Sequence, residues 1–248
     1  MSAYEKLKRP PVQEAILDFR VKLPSAFNVE AFQLLHPQFS PEYPKIKERR
    51  TVQHRIHAEE EGLSSYNRES LGVQGFTFLS ADEKDLVQFR KDGFTYNRLA
   101  PYTSWEAVFT EASRFWRIYC STTNPEEVSR VAVRYINRLR LPQPVKEFGE
   151  YFTAHPTTPA ASQTIITGFV SRVTVYNPAS RLKAHIIQAL ESPSDLGFIP
   201  VLLDIDVFDE ELTSFGPIEV LSRFQDLRNL KNELFFKSIT AKAKELFE

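Results

Sequence analysis

The chain has 248 residues, of which 42% are apolar and 25% are charged, a composition typical of a globular protein with a sizeable core. Its 31 basic and 32 acidic residues give a net charge of -1, so the overall charge indicates neither a nucleic-acid partner nor an anionic membrane. The one cysteine, Cys120, excludes an intramolecular disulfide and a multi-cysteine zinc site.

The N-terminal segment "MSAYEKLKRPP" is charged and lacks the apolar run of a secretory signal. No stretch of the sequence approaches the length of a membrane span. We therefore expect a cytoplasmic protein with no membrane partner.

The first predicted element is a half-buried strand that ends at Pro24, because apolar and charged side chains alternate before this proline. One face carries Ala15, Leu17, Phe19, Val21 and Leu23, and the other carries Glu14, Asp18, Arg20 and Lys22. Asn28 is a suitable cap for a short helix that ends before Pro37. The prolines within residues 37–50 predict a loop.

A polar strand and a meander of three strands are predicted next. Residues 51–60 form the polar strand, and residues 72–99 form the meander, with turns at "ADEKD" and "KDG". Gly93 stands at a turn position that requires a positive φ.

The clearest helix follows, with Thr103 and Glu106 as its capping box and Asn124-Pro125 at its end. Its apolar positions recur at helical spacing and predict a core-facing stripe of Trp105, Val108, Phe109, Ala112, Phe115, Trp116 and Tyr119.

After a proline-rich link at residues 141–162, the sequence predicts three more strands and two helices. The strands cover residues 164–177, 181–191 and 198–208; the middle one also fits a helix, but Asn177-Pro178 before it favours a strand. A long helix is predicted from Gly216-Pro217 onward, and Ser238 or Thr240 caps a final short helix.

This order predicts one α+β domain over residues 1–248, with a large antiparallel sheet that could be curved and two long helices packed on one face. The proline-rich link would divide the domain into halves 10–142 and 163–248, which could be related to each other.

The strand "RVAVRYINRLRLP" carries four arginines, and alternation separates them from the apolar side chains. Arg130, Arg134, Arg138 and Arg140 share one face, and Tyr135 and Asn137 lie on the other with Val131, Val133, Leu139 and Leu141. In "PVLLDIDVF", Asp204 and Asp206 likewise share a face.

Three interpretations of these charges stay open. We favour a solvated or internally paired charged face, held by cross-strand ion pairs. An anion site using Arg134, Arg138 and Arg98 is the second, because the guanidinium fork suits phosphate and carboxylate. A divalent-metal site on Asp204 and Asp206 is the third, although a metal ion needs more ligands than these two.

Two further groups of polar residues stand out, and the first of them supplies binding candidates. Asn97, Arg98 and Tyr102 cluster where a strand leads into the main helix, a common position for functional side chains. Arg228, Lys231 and Asn232 interrupt the apolar positions of the long C-terminal helix, which indicates a polar contact to the sheet or a solvated stripe.

Several motifs come in a fixed order: "PPVQEAI", "FTYNRLAPYTSWE", "RVAVRYINRL", "LLDIDVF" and "LRNLKNELFF" followed by "SIT". Together they resemble a sporadically distributed family of uncharacterised prokaryotic proteins of about this length. The resemblance spans nearly the whole chain and implies one complete unit, but it brings no activity or cofactor. The positions that match its pattern are Glu14, Asn97, Arg98, Tyr102, Arg134, Tyr135, Asn137, Arg138, Asp204 and Asp206.

The sequence contains no glycine-rich phosphate loop and no G-x-S-x-G elbow. We assign no catalytic residue and no cofactor, and no metal site beyond the Asp204 and Asp206 alternative. We expect a non-enzymatic binding or interaction protein with a protein partner or a small anionic ligand. An accessory role in a defence or toxin–antitoxin system fits the sporadic distribution of the family. The alternative is an enzyme acting on a phosphorylated or nucleotide-like substrate through the charged face. The candidate ligand-binding residues are Arg134, Arg138, Asn97, Arg98, Tyr102, Asn137, Asp204, Asp206 and Glu14.

Overall fold

The structure is a computed structural model that describes residues 6–58, 64–145, 147–158, 164, 166–191, 197–212 and 214–248. Within 51–58 and 64–71 it describes the backbone alone. The last two residues of the predicted strand 51–60, the end of the proline-rich link and Pro193 lie outside the described residues.

The described residues form a nine-stranded sheet in which every pairing is antiparallel. The strands are β1 Val12–Lys22, β2 Lys45–Ala58, β3 Ser64–Leu79, β4 Asp85–Arg90, β5 Gly93–Leu99, β6 Glu127–Pro142, β7 Val170–Asn177, β8 Leu182–Leu190 and β9 Phe198–Asp209. The helices are α1 Ala31–Leu34, α2 Trp105–Thr123, α3 Phe224–Ser238 and α4 Ala241–Glu245. The sheet order is β2-β3-β4-β5-β1-β6-β9-β8-β7, so the sheet is open and β1 lies at its centre.

The predicted α+β class and the antiparallel sheet are confirmed. Strands from both sides of the proline-rich link belong to the same sheet, because residues 131–142 of β6 pair with β9. The link itself is anchored to the C-terminal part of the chain, since Phe152 forms a bridge with Ile239.

Several predicted boundaries were wrong. Residues 45–50 belong to β2 rather than to a loop, because they pair with residues 73–79 of β3. β7 begins at Val170 rather than at residue 164. The long helix was predicted to start at Gly216-Pro217, but α3 begins only at Phe224. Residues Glu219–Arg223 before it form a 3-10 helix.

The caps were predicted in part. Ser104, not Thr103, caps α2, because its backbone is extended and its hydroxyl accepts a hydrogen bond of 3.2 Å from the Ala107 N–H. Thr240 caps α4 as predicted, with its hydroxyl accepting from the Ala243 N–H at 3.2 Å. Asn124 ends α2 in the left-handed conformation.

Phe19 of β1 lies at the centre of the aromatic core. Its ring stacks on Trp116 of α2 with centroids 4.2 Å apart and lies 4.8 Å from the ring of Phe224, the first residue of α3. All three side chains are fully buried. Rings packed in this way contribute more than their buried area alone, so one side chain links β1 to both long helices.

Gly93 begins β5 with a φ of +151°, as the turn prediction requires. A Cβ at this position would lie 1.9 Å from the carbonyl oxygen of Phe19 on the neighbouring strand. Glycine is therefore needed here both for its backbone conformation and for the close approach of β1.

We expect Gly93→Ala to lower the free energy of unfolding by at least about 2 kcal/mol, since it adds backbone strain and a clash with β1. Gly168→Ala is the matched control, because a Cβ there meets nothing within 4 Å. Chemical denaturation of both variants measures the difference. Equal stability of the two variants would contradict the assigned β1–β5 register.

Candidate functional site

A group of ion pairs connects β1, β4, β6 and β9, and we call it the charged row. Its members are Asp18, Arg20, Arg90, Arg130, Arg134, Asp204 and Asp206. Arg134 donates to both carboxylate oxygens of Asp204, from Nε at 2.9 Å and from Nη2 at 2.5 Å. Arg130 Nη2 donates to Asp206 at 2.7 Å. These contacts are charge-assisted, and the Arg134 pair is bidentate.

Asp18 is the carboxylate of the charged row with the most donors. It accepts hydrogen bonds from Arg90 Nη2 at 3.1 Å, from Thr95 Oγ1 at 2.6 Å and from Arg20 Nε at 3.0 Å. Burial alone would raise the pKa of Asp18, but these partners outweigh burial and leave the pKa below its usual value. At Asp206 the effect of burial is the larger one, so the pKa of this carboxyl is raised although Arg130 is close.

The other predicted candidates on the strands also have internal partners. Asn97 donates to Glu14 Oε1 at 2.6 Å and accepts from Gln88 at 2.7 Å. The two remaining candidate arginines each meet a carboxylate at 2.6 Å: Arg98 donates to Asp85 and Arg138 donates to Glu191. Each arginine proposed for an anion site therefore already has a carboxylate partner, which favours the internally paired interpretation.

We expect Arg134→Ala to lower the free energy of unfolding by about 1–3 kcal/mol, because it leaves the Asp204 carboxylate, 5% exposed, without its bidentate partner. Lys183→Ala removes the exposed pair with Glu210 and should leave stability nearly unchanged. Urea denaturation of the two variants makes the comparison. A loss no larger than that of the control would show that the pair contributes nothing.

A second polar cluster lies in a pocket of about 420 Å³ bounded by the N-terminal segment, the start of α2, β6 and α3. We call it the Lys231 pocket. The polar and aromatic side chains that line it include Tyr102, Trp105, Tyr135, Asn137, Arg228, Lys231 and Asn232.

Local sequence explains how three elements meet at the Lys231 pocket. Tyr135 and Asn137 are two residues apart on β6 and so point to the same side of the sheet. Arg228 and Lys231 are one helical turn apart on α3, which brings them to one side of that helix. Tyr102 lies in the connection between β5 and α2, directly after the cis Ala100–Pro101 bond.

Lys231 is the most unusual group in the pocket because its side chain is buried and its hydrogen-bond and ring partners, Asn232 and Tyr135, are both neutral. The residue is 8% exposed. Its Nζ lies 3.8 Å from the centroid of the Tyr135 ring and donates to Asn232 Oδ1 at 2.5 Å. Within the described part of the chain, no carboxylate forms a salt bridge with it. Burial, assisted by the nearby Arg228 charge, lowers the pKa of Lys231 to about 7.

The hydroxyl groups of Tyr102 and Tyr135 are hydrogen-bonded to each other at 2.9 Å beside Lys231. Burial raises the pKa of both tyrosines, so both hydroxyls stay protonated at neutral pH. Asn137 is buried and donates to the carbonyl oxygen of Leu203 at 3.0 Å. The pocket therefore offers neutral hydrogen-bonding groups around one buried amine.

Arg228 contributes a second cation at the edge of the pocket. Its guanidinium lies over the Trp105 ring at 5.2 Å and contacts Glu106 at 3.3 Å. The Glu106 side chain is 72% exposed, so this pair is solvent-screened and weak. The carboxylate partner of Arg228 is thus an exposed one, and the guanidinium itself lines the pocket.

The structure does not bring the sequence-predicted candidates together. Tyr102 and Asn137 line the Lys231 pocket, whereas Arg134, Asp204 and Asp206 belong to the charged row. The remaining four have internal partners outside both clusters: Glu14, Asn97, Arg98 and Arg138. Lys231 and Arg228 were not among the candidate ligand-binding residues. Their interruption of the apolar spacing in the C-terminal helix was the one signal that could have identified them.

Cys120 is a further group that could have been reactive. The residue is half-buried in α2, and burial raises the pKa of its thiol to about 12. The thiolate needed for nucleophilic attack is therefore scarce at neutral pH, which fits a structural role.

Comparison with known proteins finds no matching family model and no significant match among curated proteins. The resemblance to a sporadically distributed family stays a prediction. Among the described residues, no helix is long and apolar enough to cross a membrane, and no group of three or more His, Cys, Asp and Glu side chains is arranged to hold a metal ion.

We expect Lys231→Met to raise the free energy of unfolding by on the order of a few kcal/mol below pH 7. The methionine side chain has a similar volume, and it removes the buried positive charge. The unfolded chain keeps Lys231 protonated up to about pH 10.5, whereas the folded chain loses the proton near pH 7. The free energy of unfolding of the wild type therefore rises between about pH 7 and pH 10.5. The stability difference between Lys231→Met and the wild type decreases over the same pH range.

Denaturation curves between pH 6 and 10 measure this dependence. Lys22→Met is the control, because the Lys22 side chain is 70% exposed and its replacement should produce no comparable pH dependence. A Lys231→Met effect that does not change with pH would contradict the buried, depressed amine.

Proposed function

We propose that the protein is a binding protein for a small anionic molecule, which it holds in the Lys231 pocket. The observation that supports this most strongly is the buried Lys231 amine with no carboxylate partner in the described residues. Protonating an isolated buried amine is costly, and a carboxylate or phosphate of a ligand would supply the missing countercharge. Strongly perturbed groups in pockets are common at functional sites.

The charge balance of the pocket supports an anion. Among the described residues that line it, Lys6, Lys8, Arg228 and Lys231 are cationic, and Glu106 is the one carboxylate. The volume of about 420 Å³ suits a small organic molecule, and the mixture of aromatic walls with a few polar groups is typical of ligand sites.

We infer a structural role for the charged row. Strand alternation would place it on the sheet face opposite Phe19, while the contacts of Phe19 with Trp116 and Phe224 suggest that α2 and α3 cover the other face. The carboxylate partners of Arg98, Arg134 and Arg138 leave little capacity for a bound anion. The enzyme alternative and the accessory role in a defence or toxin–antitoxin system stay predictions.

The proposal predicts concentration-dependent thermal stabilisation by at least one simple anion in a panel of inorganic phosphate, pyrophosphate, lactate and AMP. Binding of an anion favours the protonated amine, so stabilisation should be stronger at pH 6 than at pH 9. Lys231→Met should abolish the response, and Arg228→Met should weaken it roughly tenfold or more, by analogy with a lost charge-assisted contact.

Arg138→Ala is the matched control, because it removes an arginine outside the pocket and should keep the response. Flat melting curves for every anion would overturn the proposal. An unchanged response in Lys231→Met would also overturn it, since the ligand would then bind elsewhere.

A further inference from the structure

We propose that Lys231 condenses with the carbonyl group of its ligand, so that the pocket takes a small oxo acid, an aldehyde or ketone that also carries a carboxylate or phosphate. This inference rests on the proposed anion-binding function and specifies the chemical class of the ligand. The product would be an imine between Lys231 Nζ and the carbonyl carbon.

The first requirement of this step is a neutral amine facing a cavity. Lys231 lines the pocket, its Nζ is positioned by Asn232 and by the face of Tyr135, and no described carboxylate stabilises its charged form. With a pKa of about 7, about half of the Lys231 side chains are neutral at pH 7. A solvated lysine is neutral in only about one molecule in a few thousand at this pH. Desolvation of this kind is a known route to nucleophilic lysines.

The second requirement is a balanced transfer of protons. The nitrogen lone pair attacks the carbonyl carbon, and the π electrons of the C=O bond move to oxygen, which takes up a proton. The nitrogen supplies that proton and, as the C=N bond forms, a second one to the same oxygen, which leaves as water. Amine and carbonyl thus give imine and water, with no oxidant or reductant. The neutral hydroxyls of Tyr102 and Tyr135 lie at the pocket to hydrogen-bond the carbonyl oxygen.

The third requirement is an anchor for the rest of the ligand. Arg228, Lys6 and Lys8 line the same pocket and can hold an acidic group while Lys231 is engaged with the carbonyl. The pocket also contains Ser104 and Trp105, at the positive end of the 19-residue helix α2. These charges select an oxo acid over a neutral aldehyde.

The test uses two pairs of probes that differ only in the carbonyl group: pyruvate against lactate, and glyoxylate against glycolate. The full-length protein is incubated with each probe and sodium cyanoborohydride at pH 7, and the adducts are located by intact mass and peptide mapping. We expect one stable adduct, on Lys231, from the oxo acids alone. Its yield should exceed that on the exposed Lys22 at least about tenfold, because a much larger fraction of Lys231 is neutral.

Lys231→Arg keeps the positive charge but removes the amine, so it should lose the adduct and keep stabilisation by lactate. The comparison of Lys231 with Lys22 in the wild type decides the question even if this variant does not fold.

Equal stabilisation by pyruvate and lactate without an adduct would overturn the imine and leave anion binding intact. Absence of the adduct, or labelling of Lys231 no greater than that of Lys22, would overturn the imine. Anion binding would be overturned as well only if the whole anion panel also gave flat melting curves.

Discussion

The antiparallel pairing of β6 with β1 and β9 is the constraint on which both polar clusters depend. Because side chains alternate along β6, Arg134 meets Asp204 of β9, while the next residue, Tyr135, lies against Lys231 of α3. A shift of one residue in this pairing would exchange the two environments. The charged row and the Lys231 pocket are therefore products of one register, although they have different chemistry.

The two clusters use charge in opposite ways. In the charged row, each guanidinium forms an ion pair with a carboxylate, and most of these pairs join two different strands. Lys231 is held instead by an amide oxygen and an aromatic face, neither of which offsets the cost of burying a charge in full. A buried charge that lowers stability in this way is commonly retained for function. The cations and tyrosine hydroxyls that line the pocket with Lys231 suggest that this function is the binding of an anion.

The sequence predicted those parts of the structure that depend on local patterns. The order of strands and helices, the positive φ at Gly93 and the separation of Arg134 from Tyr135 follow from period-two alternation and turn chemistry. The capping residue was misplaced by one position, because Thr103 and Ser104 are chemically alike and only the backbone distinguishes them. The Lys231 pocket could not be predicted, because a polar residue within a helix does not reveal which distant strand it faces.

An NMR pH titration of the lysine ε-carbon resonances, with Lys231→Met for assignment, tests the central claim most directly. We expect Lys231 to titrate near pH 7, because its amine is buried and no carboxylate of the described residues forms a salt bridge with it. A titration midpoint near 10.5, the value of a solvated lysine, would contradict it.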